Sequence, residues 1–347
     1  MFRPYSAGLR RLLGRPQPDF FARAVESWQE APAATLRFYP ALALPGQIDR
    51  IRQSVFASLP DTIEALTRDG EKTEGPTVAW RFRHVDLIDG VLFSNGAELH
   101  LRPRRRRFGL AGRPNRTISG ALYETWVTNR WFGSWLMDEL VTWPLAEGTG
   151  RPLRTGQPPK PGSHAARYLE LAGATPGHVS GDVHFDELIL FGDLANNADK
   201  ARRQRELRAR LVKGRELQPL PGVFLLRGNS GDPRVLSNER DLADRLATER
   251  GFRVIDPLIA SVDEIVDACG AARMIVGVEG SQMVHGVAAA PAGAGIIPIQ
   301  PPDRVAATLK QLSDRLDQRF GLVVAEGEGS AFSLDWSDLA GTLDLFE

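Results

Sequence analysis

Cysteine is nearly absent from this sequence, because Cys269 is the only one among 347 residues. A single thiol excludes an internal disulfide framework and supplies too few thiolates for a structural zinc site. We therefore expect a reducing, cytoplasmic compartment. The sequence also lacks a run of the roughly 18 to 20 apolar residues that a membrane-spanning helix needs, and it lacks a signal-peptide pattern at its N-terminus. Neither a spanning helix nor secretion by that route is expected.

A net charge is absent too, since 43 lysines and arginines balance 43 aspartates and glutamates. This balance gives no electrostatic argument for nucleic acid, which we do not expect as a partner. A chain of 347 residues, of which 42% are hydrophobic, is long enough for two domains with sizeable cores. Two such domains would leave a cleft between them.

The N-terminal segment, residues 2–15, mixes apolar side chains with four arginines. Two interpretations stay open for it. The composition fits a helix that lies on an anionic membrane surface, but a cationic terminus that frays or packs on the protein body is the more common case. The first interpretation would add a peripheral contact with the inner face of a membrane.

The first half of the chain predicts mainly strands and turns before it becomes helical. Short apolar or alternating runs at 77–80, 84–88, 91–93 and 97–101 are separated by Asp-Gly and Asn-Gly pairs, which predict hairpins. A basic cluster at 102–107 follows, for which a solvated loop and an acidic-glycan or phosphate contact are both open interpretations. Helices are expected from Trp135 and over 164–171, and a charged helix over 199–212 leads into the second half.

The second half alternates strands with helices in a regular order. The expected elements are strand 223–226, helix 238–249, strand 252–255, helix 262–269, strand 274–276, helix 282–289 and strand 295–299. This alternation predicts parallel βαβ units and a Rossmann-like domain. In such a sheet the ligand lies beyond the carboxyl ends of the strands.

Two turns at these strand ends carry the most informative residues. The first strand is followed by a Gly-rich turn with Arg227 and Arg234, whose guanidinium groups are suited to bidentate binding of a diphosphate. The third strand is followed by Gly277-Val-Glu279-Gly280-Ser281-Gln282, a sharp turn whose amides would form an anion site. Each turn alone is equally consistent with ordinary surface-turn chemistry. Their expected position on the same side of one sheet favours a site.

The sequence resembles glycosyltransferase family 61 in order and spacing. The matching pieces are Leu226-Arg227 through Arg234 and Asn238-Glu239, then Gly251-Phe252 to Pro257, then Ala272 to His285, then Pro291 to Pro301, with Gly133-Ser134-Trp135-Leu136-Met137-Asp138 in the first half. The resemblance implies an α/β protein of GT-B architecture, with two Rossmann-like domains that face a central cleft. We expect an N-terminal acceptor-side domain at 1–198, a C-terminal nucleotide-sugar domain at 199–325, and a tail at 326–347 that packs back on the N-terminal domain.

The same resemblance implies transfer of a hexose or pentose from a nucleotide-diphosphate donor to a hydroxyl of a glycan or lipid-linked glycan acceptor, with inversion. Arg227 and Arg234 would bind the diphosphate, and Gly280 and Ser281 would supply amides. Asn238 and Glu239 would hold the ribose or base, or would cap the next helix. We expect no metal and no other cofactor, because the acidic pairs do not have Asp-x-Asp spacing beside a strand end.

The sequence departs from the family at two histidines, which are replaced by Ser134 and Glu279. A serine is too weak a base at neutral pH, whereas a carboxylate can accept a proton. Asp138 is therefore our first candidate for the base, Glu279 the second and Glu139 the third, although Asp138 fits a solvated helix carboxylate equally well. Trp131 and Ser134 are candidate acceptor contacts.

Two other functions are each consistent with part of the sequence. A nucleotide- or glycan-binding protein of the same fold that has lost catalysis would explain the two replaced histidines. A nicotinamide-dependent oxidoreductase would suit the βαβ order, but the first strand turn has no G-x-G-x-x-G.

Overall fold

A computed structural model describes residues 8–10, 12–105, 112–228, 235–328 and 331–347. Three sets of residues named in the sequence predictions lie outside these ranges: Arg234, residues 106–107 of the basic cluster at 102–107, and residues 2–7 and 11 of the N-terminal segment. The chain forms two compact units. Unit 1 consists of Met1–Ala34 and Glu74–Arg203, and unit 2 of Thr35–Thr73 and Gln204–Glu347. Among the described helices, none has the length and apolar character that crossing a membrane requires.

The described elements follow one another along the chain as strands and helices in mixed order. The strands are β1 Glu26–Ala31, β2 Ala34–Phe38, β3 Gly70–Glu74, β4 Thr77–Ile88, β5 Val91–Ser94, β6 Ala97–His100, β7 Thr117–Leu122, β8 Pro152–Arg154, β9 Gly177–His178, β10 Val183–Gly192, β11 Val223–Leu225, β12 Val235–Leu236, β13 Arg253–Ile255, β14 Met274–Val278, β15 Gly295–Gln300, β16 Arg319–Phe320, β17 Val323–Val324, β18 Glu326–Glu328 and β19 Ala331–Ser333. The α-helices are α1 Leu59–Thr67, α2 Phe132–Ser134, α3 Leu140–Gly148, α4 His164–Ala172, α5 Ala198–Leu211, α6 Glu239–Arg250, α7 Val262–Cys269, α8 Met283–Ala289, α9 Thr308–Arg315 and α10 Trp336–Asp344. A 3₁₀ turn covers Phe21–Arg23, and a π-helical turn covers Trp135–Glu139.

Unit 1 is built on a mixed sheet in the order β6-β5-β4-β10-β7-β8-β9, with β1 paired to β4. The strands β4, β5, β6 and β10 pair antiparallel, whereas β7 is parallel to both β10 and β8. Both expected hairpins are present, and each turn pair, Asp89-Gly90 and Asn95-Gly96, has positive φ at both residues, as tight hairpin turns of this hand require. Because a two-residue turn joins only antiparallel strands, unit 1 differs here from the parallel sheet expected of a Rossmann-like domain.

Unit 2 contains the parallel sheet predicted from the second half. Its strand order is β13-β11-β14-β15-β16, with β17 also paired to β15, and all of these pairs are parallel. The strand order therefore reverses between β11 and β14. In open sheets of this kind, the crevice at such a reversal is where ligands bind, beyond the carboxyl ends of the strands.

Unit 2 includes a segment from early in the chain, Thr35–Thr73. The segment is joined to the second half by backbone bridges from Leu42 to Gly321 and from Ser54 to Val305. The buried Gln47 accepts a hydrogen bond from the Val324 amide through its side-chain oxygen at 2.6 Å. The N-terminal domain expected at 1–198 includes this segment, whereas the structure places it in unit 2.

The C-terminal tail, which we expected to pack on the N-terminal domain, lies in unit 2. Leu339, Leu343 and Phe346 of the tail belong to the buried core that contains Phe224 and Ile297 of the parallel sheet. The Phe346 ring lies against the backbone of Gly295, where a Cβ would approach the ring within 3.0 Å. The apolar stripe of the tail therefore covers one face of the unit 2 sheet.

Candidate functional site

The two turns singled out in the sequence meet at the strand reversal of unit 2. Arg227 follows β11, and Glu279 and Gly280 follow β14, the adjacent parallel strand. Arg227 is 4% exposed, and its Nη1 donates to the backbone oxygen of Glu279 at 3.5 Å and to the side-chain oxygen of Gln282 at 3.2 Å. One guanidinium group thus joins the two turns.

A glycine is required at position 280 because the guanidinium group of Arg227 lies where a side chain would begin. A Cβ built at Gly280 would overlap Nη1 of Arg227 and the side-chain oxygen of Gln282, both at separations under 3.0 Å. The neighbouring Gly277 is similarly constrained, because a Cβ there would overlap the carbonyl oxygen of Leu225 and the sulfur of Met283. The glycines of this turn therefore serve close packing of backbone and guanidinium, beyond their role in turn geometry.

Glu239 holds the turn after β11. Its two carboxylate oxygens accept hydrogen bonds from the backbone amides of Arg227, at 2.7 Å, and Gly228, at 2.9 Å. Asn238 precedes α6 but makes no side-chain cap, and instead exchanges hydrogen bonds with the backbone of Leu334, donating at 2.8 Å and accepting at 3.2 Å. Both side chains act on backbone groups here, so the expected contact with ribose or base stays a prediction.

Glu279, the second candidate base, is a buried carboxylate with a charged partner. Its Oε2 lies 3.3 Å from Nη1 of Arg304, and its side chain is 8% exposed. The guanidinium group of Arg304 also lies over the ring of Phe56, 5.4 Å from its centroid. Arg304 follows β15, the next parallel strand, so a second arginine lies at the same edge of the sheet.

Asp138, the first candidate base, lies in unit 1 at the end of the expected Gly-Ser-Trp-Leu-Met-Asp motif. The last four residues of the motif lie in the π-helical turn Trp135–Glu139, and single π-turns of this kind occur frequently at functional sites. Oδ1 of Asp138 lies 2.9 Å from Nζ of Lys200, which is 1% exposed, whereas the Asp138 side chain is 33% exposed. The carboxylate is thus ion-paired and still reachable from solvent.

Comparison with protein families gives a match over residues 47–297 to the model described as Glycosyltransferase 61. The match covers more than half of the chain and includes Asp138, Arg227 and Glu279. The chain belongs to glycosyltransferase family 61. None of the curated proteins matches it.

Membership confirms the family that the sequence motifs indicated, and with it glycosyltransferase activity with a sugar donor and a glycan acceptor. The α/β class is confirmed by the sheets and helices of both units. Sugar transfer to a hydroxyl needs a proton acceptor for that hydroxyl and stabilisation of the leaving group, and carboxylates and guanidinium groups are side chains that can fill these two roles.

Unit 1 of the glycosyltransferase also contains a buried charged cluster beside the π-turn. Glu139, the third candidate base, is 1% exposed and lies 2.5 Å from Nε of Arg154. Burial raises the pKa of Glu139, and this effect outweighs the positive charge of Arg154, which lowers the pKa. Glu124 accepts hydrogen bonds from the Thr155 amide at 2.7 Å and from Asn129 at 2.9 Å. With so little exposure, Glu139 is less suited than Asp138 to meet an acceptor directly.

Two further residues of the sequence prediction lie in the same part of unit 1. Trp131 precedes α2 and carries the guanidinium group of Arg130 over its ring at 4.6 Å from the centroid. Ser134 is partly exposed at the last position of α2. Neither position tests the expected acceptor contact, which stays a prediction.

Sequence reasoning missed three residues that matter for these sites, namely Lys200, Arg304 and Glu124. Lys200 lies in a charged helix, where nothing in the sequence distinguishes a buried lysine from an exposed one. Arg304 follows a Pro-Pro pair after β15, and its strand-end position was a usable signal. Glu124 stands among Leu122, Tyr123 and Trp126, and a carboxylate within such an apolar run is itself a sign of a buried charge.

Proposed function

We propose that this glycosyltransferase moves a sugar from a nucleotide-diphosphate donor to a hydroxyl of a glycan or lipid-linked glycan, with inversion and without a metal ion. The observation that carries the proposal is the guanidinium group of Arg227, which joins the two turns at the strand reversal of unit 2. This is the crevice in which open parallel sheets bind nucleotides. The GT-B arrangement expected from the sequence remains a prediction.

In this proposal the diphosphate binds at the turn after β11. Glu239 fixes the backbone amides of Arg227 and Gly228 at the start of this turn, so these two residues are held in place before the donor arrives. Arg227 supplies positive charge from a largely buried position, where electrostatic interactions are screened less than in water. Arg234, outside the described residues, is the second arginine we propose for the phosphates, and Gly280 and Ser281 are proposed to add backbone amides.

We propose Asp138 as the base and Glu279 as a positioning carboxylate. The acceptor oxygen attacks the anomeric carbon, the bond from that carbon to the phosphate oxygen breaks, and its electron pair leaves with the diphosphate. The acceptor proton passes to the carboxylate, and the configuration inverts because the attack is opposite to the leaving group. Asp138 is favoured because its side chain is 33% exposed whereas that of Glu279 is 8% exposed.

We further propose that the acceptor contacts Trp131 and Ser134 in unit 1. Trp131 offers an aromatic surface of the kind that packs against sugar rings, and Ser134 offers a hydroxyl. The protein is proposed to act in the cytoplasm. A lipid-linked acceptor would bring it to the inner face of a membrane, where the arginines of residues 2–15 favour anionic lipid.

Donor binding is tested by titrating uridine, guanosine and cytidine diphosphates into parent and Arg227→Ala protein by calorimetry, with and without EDTA. Loss of a charge-assisted contact worth about 1.5 to 3 kcal/mol corresponds to a roughly 10- to 150-fold weaker affinity. Arg253→Ala, on the exposed face of β13, is the control and should bind like the parent. Equal affinity in Arg227→Ala, or activity abolished by the chelator, would contradict the proposal.

The base is tested by single-turnover transfer in Asp138→Asn and Glu279→Gln, with Glu147→Gln in α3 as an exposed control. Loss of positioned proton transfer should lower the rate about 10² to 10⁴-fold in Asp138→Asn and leave nucleotide affinity unchanged. Glu279→Gln should alter mainly the apparent affinity for substrate. If both variants transfer at the parent rate, neither carboxylate is the base. A parent protein that binds nucleotide but transfers to no acceptor would favour the alternative, a binding protein that has lost catalysis.

A further inference from the structure

Two histidines and an aspartate meet on the sheet of unit 1, apart from every residue proposed for transfer. One ligand atom each from His84, His184 and Asp186 lies within 4.8 Å of the other two. Nδ1 of His84 is 3.3 Å from Oδ1 of Asp186, and the two imidazole rings stack with centroids 5.6 Å apart. The three side chains belong to β4 and β10, which are adjacent antiparallel strands.

The backbone is irregular at this point in a way that brings the three side chains together. Arg83 pairs with Glu187 and Val85 with Phe185, so His84 stands opposite Asp186, but His84 has a φ of 56° in the middle of a strand. The register between β10 and β7 also shifts between Phe185 and Glu187. Positive φ is uncommon outside glycine, and irregularities of this kind re-aim a side chain at functional positions.

A fourth side chain orients one of the imidazoles. Nδ1 of His184 lies 2.7 Å from Oδ1 of Asp86, whose side chain is 6% exposed. A carboxylate oxygen accepts hydrogen bonds, so this geometry places Nδ1 of His184 to donate to Asp86 and leaves Nε2 as the ring nitrogen for a ligand. A carboxylate behind the second nitrogen is the usual support of a metal-binding histidine.

We propose that His84, His184 and Asp186 bind a divalent transition-metal ion of the zinc class, with Asp86 as the supporting carboxylate. Two imidazoles and one carboxylate suit Zn²⁺, Co²⁺ or Ni²⁺ and leave coordination positions for water. Ligand atoms around tetrahedral zinc are about 3.3 Å apart, given metal-to-nitrogen bonds of about 2.0 Å. The three ligand atoms lie within 4.8 Å of one another, and the side chains of His84 and Asp186, which are 59% and 50% exposed, have room to rotate toward an ion.

The charged neighbours of Asp186 include one competitor for the metal. Arg83 lies 3.9 Å from Asp186, but it also lies 3.0 Å from Glu187. Glu187 therefore retains this guanidinium group when Asp186 turns to a metal ion. The site is independent of the proposed transferase chemistry, so a metal bound here should stabilise the protein without being needed for transfer.

The test is titration of tag-free, chelator-treated full-length protein with Co²⁺, followed by absorption, and with Zn²⁺, followed by calorimetry. The parent should bind one equivalent at this site. His84→Asn, His184→Ala and Asp186→Asn should each weaken binding at least tenfold, and Asp86→Asn should weaken it roughly 10- to 100-fold through the orientation of His184. Asn is chosen at position 84 because it tolerates positive φ.

The matched control is His100→Ala, which removes a half-buried histidine of the same unit whose Nε2 lies 3.4 Å from Oε1 of Glu98. This variant should bind metal like the parent. Thermal unfolding is the second measurement: Zn²⁺ should raise the melting temperature of the parent and of His100→Ala, but not of His184→Ala. A parent that binds metal no more tightly than the His84→Asn/His184→Ala double variant, or an equal loss in His100→Ala, would overturn the proposal.

Discussion

At the scale of single residues, Gly280 shows how the absence of a side chain supports a charge. The guanidinium group of Arg227 occupies the space that a Cβ of Gly280 would fill, and it is held there by Gln282 and the backbone of Glu279. Any side chain at position 280 must therefore displace Arg227 or move the turn. Since Arg227 is buried, there is little room for it to move aside without losing these bonds.

We expect Gly280→Ala to destabilise the protein by about 1 to 3 kcal/mol, the range for overpacking, and to weaken nucleotide diphosphate binding as Arg227→Ala does. The measurements are urea unfolding and calorimetric titration. Gly148→Ala is the control, because a Cβ at that helix end meets nothing within 4 Å. Parent-like affinity in Gly280→Ala would show that the position of Arg227 does not govern donor binding.

At the scale of elements, the first turns of helix α5, which belong to unit 1, carry a buried ion pair with the residue that follows β10. Arg203 and Asp193 are 1% and 4% exposed and lie 2.8 Å apart. Asp193 also accepts from the hydroxyls of Thr77 at 2.8 Å and Thr142 at 2.7 Å. Arg202, the chain neighbour of Arg203, is instead 53% exposed and pairs with Asp199 within the helix.

These adjacent arginines make a matched pair for mutation. Arg203→Gln removes the guanidinium group that pairs directly with the buried carboxylate of Asp193 and should cost about 3 to 5 kcal/mol in the free energy of unfolding. Arg202→Gln removes only an exposed pair and should cost about 0 to 1 kcal/mol. Urea unfolding of both variants measures the difference. Equal effects would contradict the structural role assigned to the buried pair.

The same ion pair predicts a dependence of stability on pH. Burial alone would raise the pKa of Asp193, but hydrogen bonds from Arg203 and the charges of Lys200 and Arg203 outweigh it and lower the pKa. Because the folded pKa lies below the unfolded value of about 3.9, the stabilisation is present above that value and is lost as pH falls through the folded pKa. The gap in unfolding free energy between parent and Arg203→Gln should therefore narrow below about pH 4.

The C-terminal helix α10 and the residues after it show how a tail completes a core. Phe346 is 7% exposed, packs over Gly295 and Gly321, and lies under the guanidinium group of Arg319 at 4.7 Å. Phe346→Ala should cost about 3 to 5 kcal/mol in unfolding free energy, because it leaves a cavity over the sheet. The control is Leu345→Ala, because Leu345 is 39% exposed; this substitution should change the free energy of unfolding by about 0.5 kcal/mol. Thermal and urea unfolding decide between the two outcomes.

At the scale of the whole molecule, unit 2 is made of two separate stretches of chain. Thr35–Thr73 is bridged to the second half at Gly321 and Val305, and Arg52 pairs with Asp303 through two hydrogen bonds of 2.6 and 2.8 Å. A fragment of residues 199–325, the domain expected from the sequence, lacks both this stretch and the tail. This fragment should show no cooperative unfolding transition. A fragment in which residues 35–73 are linked to residues 204–347 should unfold cooperatively. Calorimetric unfolding of the two fragments checks this, and cooperative unfolding of 199–325 alone would contradict it.

The hairpins and the βαβ order of unit 2 were predictable because their signals are local. Asp-Gly and Asn-Gly pairs fix tight turns, and alternating apolar runs fix strands and helices, regardless of the rest of the chain. The sequence predicts two strands, 77–80 and 84–88, where the structure has the single strand β4, because the polar residues Arg81 and Arg83 interrupt the apolar pattern. Pairing with β10 along its length holds it together, and this pairing joins residues about a hundred positions apart.

The sequence by itself determined the α/β class, the family and the strand ends at which Arg227, Glu279 and Gly280 lie, because these follow from periodicity, turn chemistry and motif order. Only the tertiary structure decided which polar groups meet. Glu239 holds two backbone amides, Asn238 binds the backbone of Leu334, and Lys200 pairs with Asp138, and these contacts join residues from 11 to 96 positions apart along the chain. The reason is physical: the burial of a charge, and the partner that offsets its desolvation, depend on packing that no local pattern specifies.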